Sequence, residues 1–197
     1  GVYLVGGRLE QCKIHDNLLK NTRSNYIYGA GVYMTNGYIT DCEIYNNEVH
    51  NTYSYSYANY AGVCVDNNSN TKKAVVENCY VHDNYSQGYG GGMYLDGYSS
   101  NYVEAINCRI ENNEAGQNGG GVYMNSYATL VGCVISNNTA NMGAGVSLSY
   151  YNNIINCNIV NNKTKTANYN GAGIDGSSYA NIYNCVIWGN KKADVSD

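Results

Sequence analysis

Gly121-Val122-Tyr123-Met124-Asn125-Ser126-Tyr127-Ala128-Thr129-Leu130-Val131-Gly132-Cys133-Val134-Ile135-Ser136-Asn137-Asn138 holds one complete copy of the unit from which this chain is built. It joins two motifs. The second, Cys-x-[Ile/Val]-x-x-Asn, recurs from Cys12, Cys42, Cys79, Cys108, Cys133, Cys157 and Cys185. Its apolar members are Ile14, Ile44, Val81, Ile110, Ile135, Ile159 and Ile187, and its asparagines are Asn17, Asn47, Asn84, Asn113, Asn138, Asn162 and Asn190. Three residues before each cysteine stands another apolar residue: Leu9, Ile39, Val76, Ala105, Leu130, Ile154 or Ile182. The first motif, Gly-[Val/Ile/Met]-x, starts at Gly1, Gly31, Gly62, Gly92, Gly121, Gly145 and Gly173. Successive cysteines are 24 to 37 residues apart, and the variation falls in polar segments where loops belong.

Within each motif apolar and polar residues alternate, which is the period of a strand. A few short strands per repeat cannot bury their inner faces alone. Stacked repeats can, each strand pairing in parallel with its copy in the next coil. Cysteine, isoleucine and valine then form inward columns, and the repeated asparagine forms an amide ladder. Seven coils make a rod on the order of 34 Å long. The columnar cysteines read as buried free thiols, with Cys64, in a place that tyrosine holds elsewhere, half-buried under a loop.

Composition agrees. The chain has 197 residues, with 23 Gly, 23 Tyr and 33 Asn but no Pro and no Phe. Asparagine and glycine disfavour long helices, and proline would break ladders paired on both sides. A net charge of −4 offers no basic stripe for nucleic acid, and no run of about 18 apolar residues inserts this segment in a membrane. Leucine-rich repeats share part of the pattern, but the Gly-Gly-Val-Tyr segments and the missing helical stretch oppose them.

The pairing of a Gly-Gly-Ala/Gly-[Val/Ile] motif with a hydrophobic-x-x-Asn motif resembles polymorphic outer-membrane-protein repeats and, more broadly, the right-handed parallel β-helix of the pectate-lyase-like superfamily. The fold class expected is all-β, one right-handed parallel β-helix of about seven coils over residues 1–197. The resemblance implies a secreted or surface-displayed protein, and hence an extracellular or cell-surface location. The chain starts inside a motif, which reads as a fragment of a longer exported protein whose adjoining domains or caps cover its ends.

Three roles stay open. The leading one is an adhesin or passenger rod that binds glycan through loop tyrosines, the expected ligand residues being Tyr26, Tyr28, Tyr53, Tyr55, Tyr57, Tyr60, Tyr85 and Tyr89. The outward tyrosines after the Gly motif, Tyr3, Tyr33, Tyr94 and Tyr123, read as a stabilising stack. The second role is a polysaccharide lyase or glycoside hydrolase on the charged outward face of coils one to four. There the resemblance implies Lys13 or Arg109 as base, with Asp16, Glu43 and Asp83 as acidic partners of a calcium ion. The third is a structural stalk. Cys12/His15 and Cys79/His82 lack a second ligand pair, so no metal site and no cofactor is expected from the residues themselves.

Overall fold

The computed structural model describes residues 1–21, 28–51, 60–69, 71–99, 102–167, 171–176 and 179–193. They form 25 strands in sheets of twelve, seven and six strands. Every strand pairing is parallel and, apart from a register shift at Val5, joins equivalent positions of successive repeats, as in Ile44 with Val81 and Ile110 with Ile135. The result is an all-β parallel solenoid. The fourth coil shows the plan: Met93–Gly97 after the Gly motif, Val103–Ile106 before the cysteine, Arg109–Glu111 after it, and Glu114–Ala115 beyond the asparagine.

Apolar columns fill the interior. One cross-section contains Val122, Met124, Leu130, Cys133 and Ile135, each fully buried. Burying such aliphatic side chains contributes about 1.5–3 kcal/mol apiece against the chain entropy of ordering each coil. The cysteines are free and lie in register, with the Cys133 thiol donating to Ala105 O at 3.4 Å.

Two columns of left-handed residues turn the chain on either side of the cysteine strand. The first runs Gln11, Asp41, Asn78, Asn107, Gly132, Asn156, Asn184, with φ from 48° to 64°. The second runs Asp16, Asn46, Asp83, Asn112, Asn137, Asn161, Gly189, with φ from 51° to 68°. Asparagine, aspartate and glycine tolerate this region best, which explains much of the polar residue content between the inward positions.

The repeated asparagines form a continuous ladder. Asn113 Nδ2 donates to Val81 O at 3.0 Å and to Asn138 Oδ1 at 3.1 Å. Its own Oδ1 accepts from Asn84 N at 3.1 Å and Asn84 Nδ2 at 2.9 Å. The same pattern links Asn17 to Asn47, and Asn138 through Asn162 to Asn190. The two motifs meet here. A Cβ on Gly92 would lie 2.9 Å from Asn113 Nδ2 and 2.6 Å from Gly121 O, so close approach excludes any side chain.

Outside this frame the tyrosines stack, Tyr3 on Tyr33 at 5.3 Å and Tyr94 on Tyr123 at 5.7 Å. Cys64 interrupts the stack, and Tyr60 replaces the missing ring, 3.7 Å from Tyr94. Cys64 is therefore fully buried, where the sequence suggested half-burial under a loop. The ladder hydroxyls are occupied: Tyr33 donates to Asp66 at 3.1 Å, Tyr94 to Asp96 at 3.2 Å, and Tyr123 pairs with Ser149 at 3.2 Å.

Candidate functional site

The regular cross-section is disturbed at one corner, between the strand after the Gly motif and the strand before the cysteine. In coils one and two these strands run together as Val2–Glu10 and Val32–Thr40. Their pairing shifts register at Val5, beside Gly6 and Gly7, with φ of 79° and 84°. Opposite them Gly37 has φ of 111°, and a Cβ there would lie 2.5 Å from Gly7 O. Such bulges re-aim side chains and often border functional sites.

Coil three crosses the same corner by a turn. Buried Asn67 donates to Lys72 O at 2.8 Å and to Tyr102 O at 3.2 Å, and accepts from Ser69 N at 3.0 Å. Ser69 Oγ accepts from Lys72 N at 3.1 Å. The turn is thus fixed by its own side chains and holds Asn68, Lys72 and Lys73 against the bulge.

Between bulge and turn lies an open groove with two lobes. One, about 470 Å³, is lined by Arg8, Asn36, Tyr38, Lys72 and Lys73 with the bulge glycines. The other, about 250 Å³, is lined by Asn36, Asp66, Asn68, Ser69 and Lys72 among others. Asn36 and Lys72 line both, so the two lobes adjoin. Arg8 lies over the Tyr38 ring at 5.2 Å, and Lys73 pairs with Glu104 at 3.0 Å. The Lys72 ammonium has no ion pair among the described residues. The groove therefore combines an aromatic ring, side-chain amides, a carboxylate and an uncommitted cation.

The charged face after the cysteines is organised differently. Lys13 pairs with Glu43 at 2.7 Å and Arg109 with Glu111 at 2.6 Å. Each carboxylate pushes its partner's pKa up, so both cations hold their protons rather than standing ready to accept one. Asp16 and Asp83 sit on left-handed corners and contact their own neighbours, His15 at 2.7 Å and His82 at 2.6 Å. The hydrogen bond from His15 holds Asp16 below its ordinary range. Two coils, about 10 Å, separate these aspartates along the axis. Among the described residues, no three His, Cys, Asp or Glu side chains gather as a metal site. Lys13, Glu43 and Tyr80 line a shallow groove of about 330 Å³. His82 lies 5.1 Å from the Tyr45 ring and 3.9 Å from the Tyr80 ring, and Tyr80 is covered on its other approach by Arg109 at 4.8 Å.

Of the loop tyrosines read as ligand contacts, Tyr26, Tyr53, Tyr55 and Tyr57 lie outside the described residues. Tyr60 is buried in the stack. Tyr28 packs on Tyr33 at 5.3 Å, Tyr89 on Tyr123 at 5.1 Å, and Tyr85 on His50 at 5.1 Å. These described rings pack against other aromatic side chains. The groove residues Arg8, Asn36, Tyr38 and Lys72 were not singled out from the sequence. Their signal was the Gly-Gly pair inside an otherwise regular strand, a mark of a bulge.

One more column belongs to this corner. Six residues before each repeat cysteine stand Gly6, Asn36, Lys73, Tyr102, Tyr127, Tyr151 and Tyr179. Pairings on their C-terminal side, such as Gly37 with Ala74 and Val103 with Ala128, keep these positions in register along the rod.

The family described as right handed beta helix region matches residues 1–196. No curated protein and no solved structure matches the chain. With its parallel coils, inward columns and asparagine ladder, the chain belongs to the right-handed β-helix family.

Proposed function

We propose that this chain is a carbohydrate-binding rod of a secreted or surface-displayed protein, and that the groove across coils one to three takes the sugar. The observation carrying this reading is the composition of that groove. Tyr38 supplies a ring 40 % exposed, Asn36 and Asn68 supply amides, and Arg8 and Lys72 supply cations on a rigid sheet. Sugars are recognised by this combination, an apolar CH face against a ring and hydroxyls against amides and charged groups. The binding calls on side chains alone, without metal or cofactor. Proton abstraction by Lys13 or Arg109 is disfavoured, because each is held in an ion pair with a carboxylate.

The test is binding to immobilised polysaccharides by the wild type, Tyr38→Ala and Lys72→Ala. Losing a ring contact worth about 0.5–1.5 kcal/mol corresponds to weakening by about two- to twelvefold. Binding unchanged in both variants would remove the groove from consideration. Failure of the wild type to bind any carbohydrate would leave the rod a structural stalk.

A further inference from the structure

The corner column changes character along the rod. In coils one to three it reads Gly6, Asn36, Lys73 and borders the groove; in coils four to seven it reads Tyr102, Tyr127, Tyr151, Tyr179. Tyr127 stacks on Tyr151 at 5.1 Å and Tyr151 on Tyr179 at 4.9 Å, with interplanar angles of 6° and 11°. All three have positive φ, 49°, 54° and 69°.

Tyrosine is an unfavourable choice for that backbone. A bulky residue in the left-handed region is an outlier, whereas Asn or Gly would adopt it with little strain. The two corner columns beside the cysteines are filled almost entirely by Asn, Asp and Gly. Three successive tyrosines against this preference mean that the side chain, not the backbone, accounts for the residue.

These tyrosines also differ from the ladder on the neighbouring face. There the hydroxyls of Tyr33, Tyr94 and Tyr123 are bound by Asp66, Asp96 and Ser149. On the corner, the hydroxyls of Tyr127, Tyr151 and Tyr179 have no hydrogen-bond partner among the described residues. Tyr98 and Tyr150 flank the column, 64 % and 55 % exposed, and neither ring contacts another among the described residues. The corner thus offers free ring faces at Tyr98 and Tyr150, and ring edges with unfilled hydroxyls along the stack.

We infer that this tyrosine ridge is the second half of the groove's binding surface, and that the ligand is a linear polysaccharide lying along the rod. The inference rests on the carbohydrate reading of the groove. From Gly6 to Tyr179 the column climbs six coil rises, about 29 Å, which one or two sugars cannot cover. A β-linked pyranose advances its chain by about one coil rise, so successive sugars meet successive coils in near register. The polar groove orients one end of the chain, and the uncharged ridge holds its continuation.

The experiment compares short oligomers with long chains of soluble β-1,4-linked glucan, mannan and xylan, by affinity electrophoresis and calorimetry. The proteins are wild type, Lys72→Ala, Tyr127→Asn/Tyr151→Asn and Tyr150→Ala. Asparagine suits the left-handed backbone, so the double variant keeps its fold, as an unchanged thermal midpoint would verify. Tyr150→Ala alters no strained residue and is an independent probe of the ridge. The expected result is tighter wild-type binding to long chains than to short ones. Ridge variants lose about fivefold or more on long chains and nothing on short ones, while Lys72→Ala weakens both. Ridge variants that bind long chains like the wild type, while Lys72→Ala still weakens binding, would overturn the inference and leave the groove's role standing. Absence of wild-type binding to every chain would overturn both.

Discussion

Replacing Asn113 with alanine removes one rung from the middle of the ladder. Asn113 is 1 % exposed, so water cannot take over its hydrogen bonds without entering the core. Four bonds disappear: the two donated by Nδ2, to Val81 O and Asn138 Oδ1, and the two accepted by Oδ1, from Asn84 N and Asn84 Nδ2. At about 1 kcal/mol net each the loss is about 4 kcal/mol, and the orphaned Asn84 N–H makes this a lower figure. That is a large part of the about 5–15 kcal/mol available to a typical domain. In a stacked solenoid the loss falls on the coupling of neighbouring coils, so the fold weakens locally before it fails globally. Urea unfolding followed by circular dichroism measures the total, and hydrogen exchange reads the Asn84 amide directly. Asn112→Gly, one residue away at a left-handed exposed corner, is the control and changes stability by only a few tenths of a kcal/mol. A shift under about 1 kcal/mol for Asn113→Ala, with the Asn84 amide still protected, would refute the ladder's role in holding coils together.

Tyr60→Ala uncovers Cys64 at a cost of about 3–5 kcal/mol, and native-state thiol labelling rises by one cysteine; an unlabelled Cys64 would contradict the covering role of that ring. Burial raises the Asp96 carboxyl above its ordinary 3.8, although hydrogen bonds from Asn125 and Tyr94 oppose the shift. The folded state therefore binds more protons than the unfolded one just above 3.8, and Asp96 lowers stability as pH rises through that window. Asp96→Asn should raise the thermal midpoint at neutral pH and lose that advantage below 3.8; an advantage independent of pH would reject the burial argument. Gly121→Ala forces a Cβ to 2.7 Å from Gly145 O and 2.9 Å from Asn138 Nδ2, so it should lower stability by about 1–3 kcal/mol in the same thermal assay. A neutral outcome there would mean that the Gly motif is not set by contact with the ladder.

The solenoid was legible because its strongest constraints act at fixed offsets. Cys133, Ile135 and Asn138 must point inward in every coil, and the same three offsets recur at Cys12 and Cys185. The amide ladder followed from that register. Glycines do turn the chain before the first motif, at Gly29, Gly90, Gly119, Gly143 and Gly171, but Gly31, Gly62, Gly92, Gly121, Gly145 and Gly173 lack the positive φ of a left-handed turn. Their constraint is contact with the asparagine of the other motif, which spacing within one repeat cannot reveal. Further left-handed corners lie at residues such as Asp41 and Asn46, on either side of the cysteine strand.

The candidate site was less legible for a related reason. Tyr60 occurs in a loop-like segment, but its burial depends on Cys64 lacking a ring one coil position away in space. The groove joins Arg8, Asn36 and Lys72 from three coils, so no local run of sequence contains it. The cross-coil pair of Lys13 with Glu43 was legible from the repeat register and forms as expected. Arg109 instead pairs with Glu111 of its own strand, a choice of rotamer that spacing does not reveal. The tyrosine column did have a sequence signal, four tyrosines six residues before four successive cysteines. That signal emerges only when the repeats are aligned by their inward residues.

The most direct measurement is a broad polysaccharide array probed with the wild type and Lys72→Ala side by side. The account predicts selective binding by the wild type that falls about fivefold or more in the variant. A blank array, or a selective signal that Lys72→Ala leaves intact, would contradict it.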